Sequence, residues 1–467
     1  MSVELIDIQK NIREALRDLP LRAAVWKATE HSLKKREEVV GEVANWEELR
    51  MLAHRIRKFT IDHLAQYLQE FERTATANGM KVHWAQDASE SVSIVRTILQ
   101  QHNAKRIVKS KSMTTDEIHL NASLEKDGYF IVETDLGEYI VQLAGETPSH
   151  ITAPALHKSR EAIAELLAEK FHEPVPSDPA LITSIVRRRL RDVFLSADVG
   201  ISGVNFAVAE TGTLCIVENE GNARFTTTLP RVHIAIMGIE KVIPRMADLA
   251  LFLKLLPRSA TGQRMTSYVS LISSPRQMND RDGPKEVHII ILDNGRSSLL
   301  SDSSIRQVLY CIRCGACLNT CPVYRQIGGH AYGWVYQGPI GAMLAPLMLG
   351  FNTTPLHPYL SSLCGACAEI CPVKIDIHHV LLYERSFVVA QRQTPRIERM
   401  ILKVWAWLMT GRWRYAFATR VAQLLSTIFG KDAKVYVPVW GQTRDFPPVA
   451  KKTFHQLYRK GGKTSRQ

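Results

Sequence analysis

The sequence predicts an α/β domain with a mostly parallel sheet, preceded by helices and followed by a small cysteine-bearing helical domain and a basic helical tail. Three observations predict it. Val/Ile-rich strings alternate with helix-like strings between residues 80 and 300, seven of the eight cysteines fall within residues 311–371, and the last stretch is strongly basic. At 467 residues the chain exceeds one ordinary domain.

Residues 1–75 read as helical. IDIQKNIREALRDL and NWEELRMLAHRIRKFTIDHLAQYLQEFERTA place apolar residues every three or four positions with charges between them. Asn45, ahead of Trp46, Glu47 and Glu48, predicts a helix start with acids in the first turn. These helices are expected to pack on the domain that follows.

Residues 76–300 form the expected α/β domain. KVHWA (81–85), RIVKSK (106–111), YFIVETD (129–135), EYIVQLA (138–144), LCIVEN (214–219), VHIAIMGIEKVI (232–243) and VHIIILD (287–293) predict strands. SESVSIVRTILQQH (89–102), HKSREAIAELLAEKF (157–171) and PALITSIVRRRLRDVFLSA (179–197) predict helices between them. Such alternation argues a mostly parallel sheet. Two strings crowd polar residues near strand ends, VKSKSMTTDEIHLN (108–121) and AETGTLCIVENEGNARFTTTLP (209–230). Open α/β sheets bind ligands there, yet Gly, Asn and Thr also build ordinary turns and caps. Both readings stay open. Cys215 reads as a buried packing thiol rather than a fourth cluster ligand, and His150 and His157, which flank a helix start, as satisfied surface histidines rather than functional ones.

Residues 301–385 carry the cysteines. CIRCGACLNTCP (311–322) has the spacing C-x2-C-x2-C-x3-C-P, and SLCGACAEICP (362–372) repeats it with Ser361 where Cys311 would align. Bunching in C-x2-C spacing favours metal over disulfides. A cubane iron–sulfur cluster needs four converging thiolates, and the cysteine before proline reaches the neighbouring cluster. Cluster 1 is then expected on Cys311, Cys314, Cys317 and Cys371, and cluster 2 on Cys321, Cys364 and Cys367. Gly315 and Gly365 suit the tight turn. A zinc ribbon has no use for the C-x3-C-P ending. Cluster 2 lacks a fourth thiolate. It is either a three-iron [3Fe–4S] cluster, or a [4Fe–4S] cluster with water, Ser361, Asp376, His378 or His379 on the last iron, or a place where a substrate or partner binds. [4Fe–4S] is the expected type for the pair.

Residues 386–467 form the basic, tryptophan-containing tail, helical at first and Pro/Gly/Lys-rich and loose at its end. Residues 401–467 hold 13 Lys+Arg against two acids, most of the net charge of +13. Such a block suits acidic lipid, an acidic protein or nucleic acid; without a zinc finger, helix-turn-helix or RNA signature, nucleic acid is not favoured. No apolar run reaches the about 18 residues that span a bilayer, so only a peripheral contact at the inner membrane face is left open. The start carries acids and no apolar h-region, and a cytoplasmic location is expected. No G-x-x-x-x-G-K-[ST] loop and no G-x-G-x-x-G after a strand supports nucleotide hydrolysis or a dinucleotide fold.

Taken with the cysteines, VKSKSMTTDEIHLN, LGEYIVQLAGETPSHITAPALHKS, GISGVNFAVAETGTLCIVENEGNAR, CIRCGACLNTCPVYR and SSLCGACAEICPVKIDI resemble the lactate utilization protein B family, over nearly the whole chain. The resemblance implies an α/β domain with the fold shared by CoA-transferases, glucosamine-6-phosphate deaminases and ribose-phosphate isomerases. It also implies a two-cluster ferredoxin-like domain and a family-specific C-terminal segment. The seven-cysteine pattern is the family's own. The implied role is electron transfer in L-lactate breakdown, alongside two companion lactate-utilization subunits, with no catalytic residue assigned in this chain. The rival expectation is a catalytic or ligand-sensing α/β domain for which the clusters act as a redox switch.

Overall fold

The computed structural model describes residues 7–394, 396–428, 450 and 452–461. Four helices open the described chain, Ile8–Arg17, Leu19–Gly41, Trp46–Asp62 and Leu64–Ala77. Asn45 does precede a helix but makes no side-chain cap bond, unlike Asp7 and Asp18, which cap the first two.

Ten strands follow: β1 (Lys81–Ala85), β2 (Arg106–Lys109), β3 (Phe130–Glu133), β4 (Val199–Gly203), β5 (Phe206–Val208), β6 (Thr213–Glu218), β7 (Val232–Gly238), β8 (Val242–Ile243), β9 (Tyr268–Ile272) and β10 (Glu286–Leu292). Six form a wholly parallel sheet in the order β1-β10-β7-β4-β2-β3. The other four form a small mixed sheet, β8-β5-β6-β9. Every residue of β7 is buried, as a Val/Ile-rich strand covered on both faces must be. Ile234 and Ile236 meet Val92, Val95 and Leu99 of helix Ala88–Gln101, whereas Ala235 and Met237 face the opposite core.

Two expected strands are corrected. EYIVQLA lies in a helix, Leu136–Ala144, capped by the Asp135 carboxylate and ended by left-handed Gly145. Those caps outweigh the β-propensity of Tyr, Ile and Val. The string 232–243 is not one strand: it leaves the parallel sheet at Gly238, makes a single turn at Ile239–Lys241 and joins the small sheet as β8. Strands β4, β5 and β9 were not foreseen, being short and glycine-bearing or largely exposed.

After β10 the chain makes short helical turns and helices, including Ala316–Thr320, Gly338–Leu349, Ala366–Ile370 and Ile377–Ala390. They share one core with the N-terminal helices and the small sheet. One compact unit extends to Val388, and the residues from Val389 form a second. In that second unit helix Arg396–Met409 has no buried residue, and the Pro/Gly/Lys-rich end expected to be loose falls largely outside the described residues.

Candidate iron–sulfur centre

The two cysteine motifs fold alike. In each, the residue before the second cysteine position (Arg313, Leu363) and the following glycine (Gly315, Gly365) have positive φ, at 59° and 55° and at 74° and 83°. This paired left-handed geometry needs glycine at the second position. Each glycine opens a short helix, Ala316–Thr320 or Ala366–Ile370, and these two helices pack together. Ser361 keeps the geometry of its aligned cysteine. Its Oγ accepts the Leu363 N–H at 3.1 Å, just as the Cys311 Sγ accepts the Arg313 N–H at 3.4 Å.

Cys311, Cys314, Cys317 and Cys371 line one enclosed cavity, walled by Ile151, Ile312, Ile340 and Ile375. Backbone N–H groups point at sulfur: Tyr324 to Cys321 at 3.5 Å and Ile375 to Cys371 at 3.4 Å. Burial pushes the Cys371 thiol up to about 11. Burial, with Cys321 and Cys364 nearby, pushes Cys367 up to about 12. Cys317 is raised by burial and by the neighbouring thiols, Cys314 first. Cys364 differs. It is exposed, and the Ala366 N–H and Ser362 hydroxyl lower its pKa. The donor set fits a cubane cluster: buried sulfurs around one cavity, amide N–H groups aimed at them, and apolar walls. A bound metal holds such thiols deprotonated despite their burial.

Sequence reading missed what holds this centre. Arg50 donates to the Cys371 carbonyl through Nε at 3.0 Å and Nη2 at 2.8 Å, and also to the Glu369 carbonyl. Arg36 reaches the Ile370 carbonyl at 3.2 Å, and His54 Nδ1 lies 3.0 Å from that of Val373. Arg57 is fully buried and donates to the carbonyls of Leu309, Tyr310, Val242 and Glu240. Burial lowers its pKa to about 10, so it stays cationic at neutral pH. The N-terminal helices thus pack on the cysteine segment as well as on the α/β domain. A signal was present: Arg50, Ala53, Arg57 and Thr60 share one buried helix stripe.

His150 is corrected from a surface histidine to a buried one. Its Nδ1 accepts the N–H groups of Thr152 and Ala153, leaving Nε2–H for Asn319 Oδ1 at 3.1 Å, and burial pushes its pKa down to about 4. The candidate fourth ligands lie around the second motif. His378 is the neighbour that a Cβ on Gly365 would meet, and Asp376, His378 and His379 hold their donor atoms close together. Cys215, on β6 opposite Phe206 and Leu271, is the packing thiol expected.

Much of the two polar strings is structural. Lys109 is buried against Glu133 at 2.8 Å and Asp116 at 3.0 Å. Glu117 binds Arg296 at 2.7 Å and accepts the Tyr336 hydroxyl at 2.8 Å, tying the α/β domain to the cysteine segment. Glu218 accepts the Ala223 and Arg224 N–H groups at the start of a helix. What remains of the strings lines a second cavity.

Three family models match successive segments of the chain. Residues 68–292 match the LUD domain, 307–375 the 4Fe-4S dicluster domain, and 384–463 the domain described as lactate utilisation protein B, C-terminal. Lactate utilization protein B of Bacillus pumilus (strain SAFR-032) is 42% identical over 459 residues, 97% of either chain. The chain belongs to the lactate utilization protein B family. A second relative of that name, from Bacillus cytotoxicus, is 41% identical over 99% of this chain and 100% of its own. A DUF162 family protein from Deinococcus radiodurans aligns with 49% of this chain and 98% of its own at 14% identity, with a TM-score of 0.29, too low to bear on the fold. As a member of the family the chain carries a LUD domain and iron–sulfur clusters. No helix among the described residues is long and apolar enough to cross a membrane.

Proposed function

We propose that this protein is the iron–sulfur electron-transfer subunit of a lactate-oxidising system, working with companion subunits that hold the hydride-accepting group. Cluster 1 is held by Cys311, Cys314, Cys317 and Cys371, and cluster 2 by Cys321, Cys364 and Cys367. The observation that carries the reading is the gathering of four thiols around one cavity, with the two short cysteine helices packed together. When bound, a cubane cluster takes up and returns one electron, so an adjacent pair suits a donor that releases two. The residues of this chain hold the pair, bury one site and leave the other at the surface through Cys364.

Cluster 2 is read as a cluster with three thiolates whose open corner faces Ser361. Anaerobic EPR with iron and sulfide analysis is the test. Two clusters per chain is the expected result, with an oxidised three-iron signal identifying cluster 2 as [3Fe–4S] and two reduced four-iron clusters identifying a fourth ligand other than a motif cysteine; zinc without iron or acid-labile sulfide overturns the reading. Lactate turnover by this chain alone with an artificial acceptor would overturn the subunit assignment. Helix Arg396–Met409 exposes Ile397, Met400, Ile401, Val404, Trp405 and Trp407 in a basic stretch, which supports a peripheral contact with acidic lipid from the cytoplasmic side. Sedimentation with anionic but not zwitterionic vesicles tests it.

A further inference from the structure

Beside cluster 1 lies a second cavity, of about 260 Å3, at the carboxyl ends of β2 and β4 and beyond the end of β6. It takes residues from both polar strings, among them Ser110, Lys111, Glu218, Glu220 and Asn222, and from the cysteine motif it takes Arg313. Strand ends of an open α/β sheet are the usual place for a small ligand.

The cavity is bipolar. At one end stand Arg313 and Lys241, with the Arg313 side chain 9% exposed and Lys241 8%. Arg313 Nε and Nη1 have no hydrogen-bond partner. Its guanidinium is nevertheless held in place, stacked 4.5 Å over the Tyr336 ring with Nη2 3.4 Å from Glu240. Burial opposes the Glu240 charge, but Arg296, Arg313 and Lys241 prevail and hold it down to about 2. Glu240 already pairs with Arg296 at 2.8 Å. The cationic end therefore has donors to spare, and buried donors without partners are costly. At the other end stand Asp135, Glu218 and Glu220, three carboxylates against one cation, Lys111, whose Nζ lies 3.4 Å from Glu138. Burial, then Asp135, pushes the Glu220 carboxyl up to about 7. Thr266 Oγ1, also on the lining, is buried without a partner. Ile151, Val204, Ile216 and Leu256 contribute apolar wall.

We propose that this cavity binds a small hydroxy carboxylate, its carboxylate on Arg313 and Lys241 and its hydroxyl groups toward the acidic end, directly beside cluster 1. Arg313 lies between Cys311 and Cys314 in sequence, so the residue that reads the ligand belongs to the loop that holds the cluster. The proposal deepens the electron-transfer reading and rests on it for the presence of cluster 1.

Calorimetric titration of the full-length, cluster-loaded protein under anaerobic conditions tests it, with L-lactate, D-gluconate, acetate and inorganic phosphate as probes and EPR of the reduced clusters recorded in parallel. Saturable binding of a hydroxy acid, with a changed cluster signal and no comparable binding of acetate or phosphate, is expected. Lys241→Met should weaken that binding by roughly tenfold or more, and Thr266→Val, at a position remote in sequence from the cysteines, should weaken it with iron content unchanged. Equal binding of all four anions would mean that the cations only balance cluster charge, and overturns the proposal. So does the absence of binding in protein whose iron, sulfide and EPR signals are complete, a result that leaves the electron-transfer reading standing. Loss of the clusters themselves would instead count against that reading.

Discussion

At the scale of single residues, Ser361 is the most instructive position. It occupies the place of a cysteine and accepts the same backbone N–H, so its oxygen is held where the first motif holds sulfur. Ser361→Cys should therefore add a thiolate to cluster 2 without disturbing the loop. EPR of the reduced variant should show two four-iron clusters, and the oxidised variant no three-iron signal. Cys371→Ser should remove cluster 1 and leave cluster 2, lowering iron content by about half. Glu384 makes a different prediction. Its carboxyl is fully buried, neither oxygen has a hydrogen-bond partner, and burial pushes its pKa well above the usual value. The folded state thus binds a proton that the unfolded state releases near pH 4.5, and stability falls as pH rises from there towards the folded pKa. Glu384→Met should remove this slope and raise stability at pH 8 by about 1–3 kcal/mol, read by denaturant unfolding at pH 5 and pH 8.

At the scale of elements, the deciding contacts are between a helix and the carbonyls of a loop. Helix Trp46–Asp62 presents Arg50 and Arg57 one above the other, to the turns around Cys371 and Tyr310. Arg57→Met leaves four buried carbonyls without their donor and should cost about 3 kcal/mol of unfolding free energy, since each net bond to a charged group contributes about 1.5–3 kcal/mol and the losses do not add. Helix Leu136–Ala144 shows why local pattern can mislead. Its apolar run suits a strand, but Asp135 and Gly145 stand at its ends as caps. It lies along the edge strand β3, where Gln142 accepts the Glu133 N–H at 2.9 Å and donates to the Ile131 carbonyl at 2.9 Å. The helix covers a sheet edge that a further strand would have extended.

At the scale of the whole molecule, the cysteine segment shares its core with the N-terminal helices and the small sheet rather than forming a separate body. Anything that binds only the folded state stabilises it, so removing the clusters should lower the melting temperature of the whole unit up to Val388. Calorimetry of holo and cluster-depleted protein checks this, and limited proteolysis should then cut first near residues 309–313 and 361–375. The sequence by itself determined the iron–sulfur type of the centre, because cysteines at C-x2-C-x2-C-x3-C-P spacing are a local property of the chain. It also determined the α/β class, through Val/Ile runs that only a doubly covered sheet can bury. The tertiary structure alone decided that Arg36, Arg50 and Arg57 clamp the cysteine loops and that Lys241, Arg313 and Glu220 meet around one cavity. In sequence these are ordinary charges on helices and turns, and what they do depends on which carbonyls, rings and counter-charges the distant chain brings within hydrogen-bond reach.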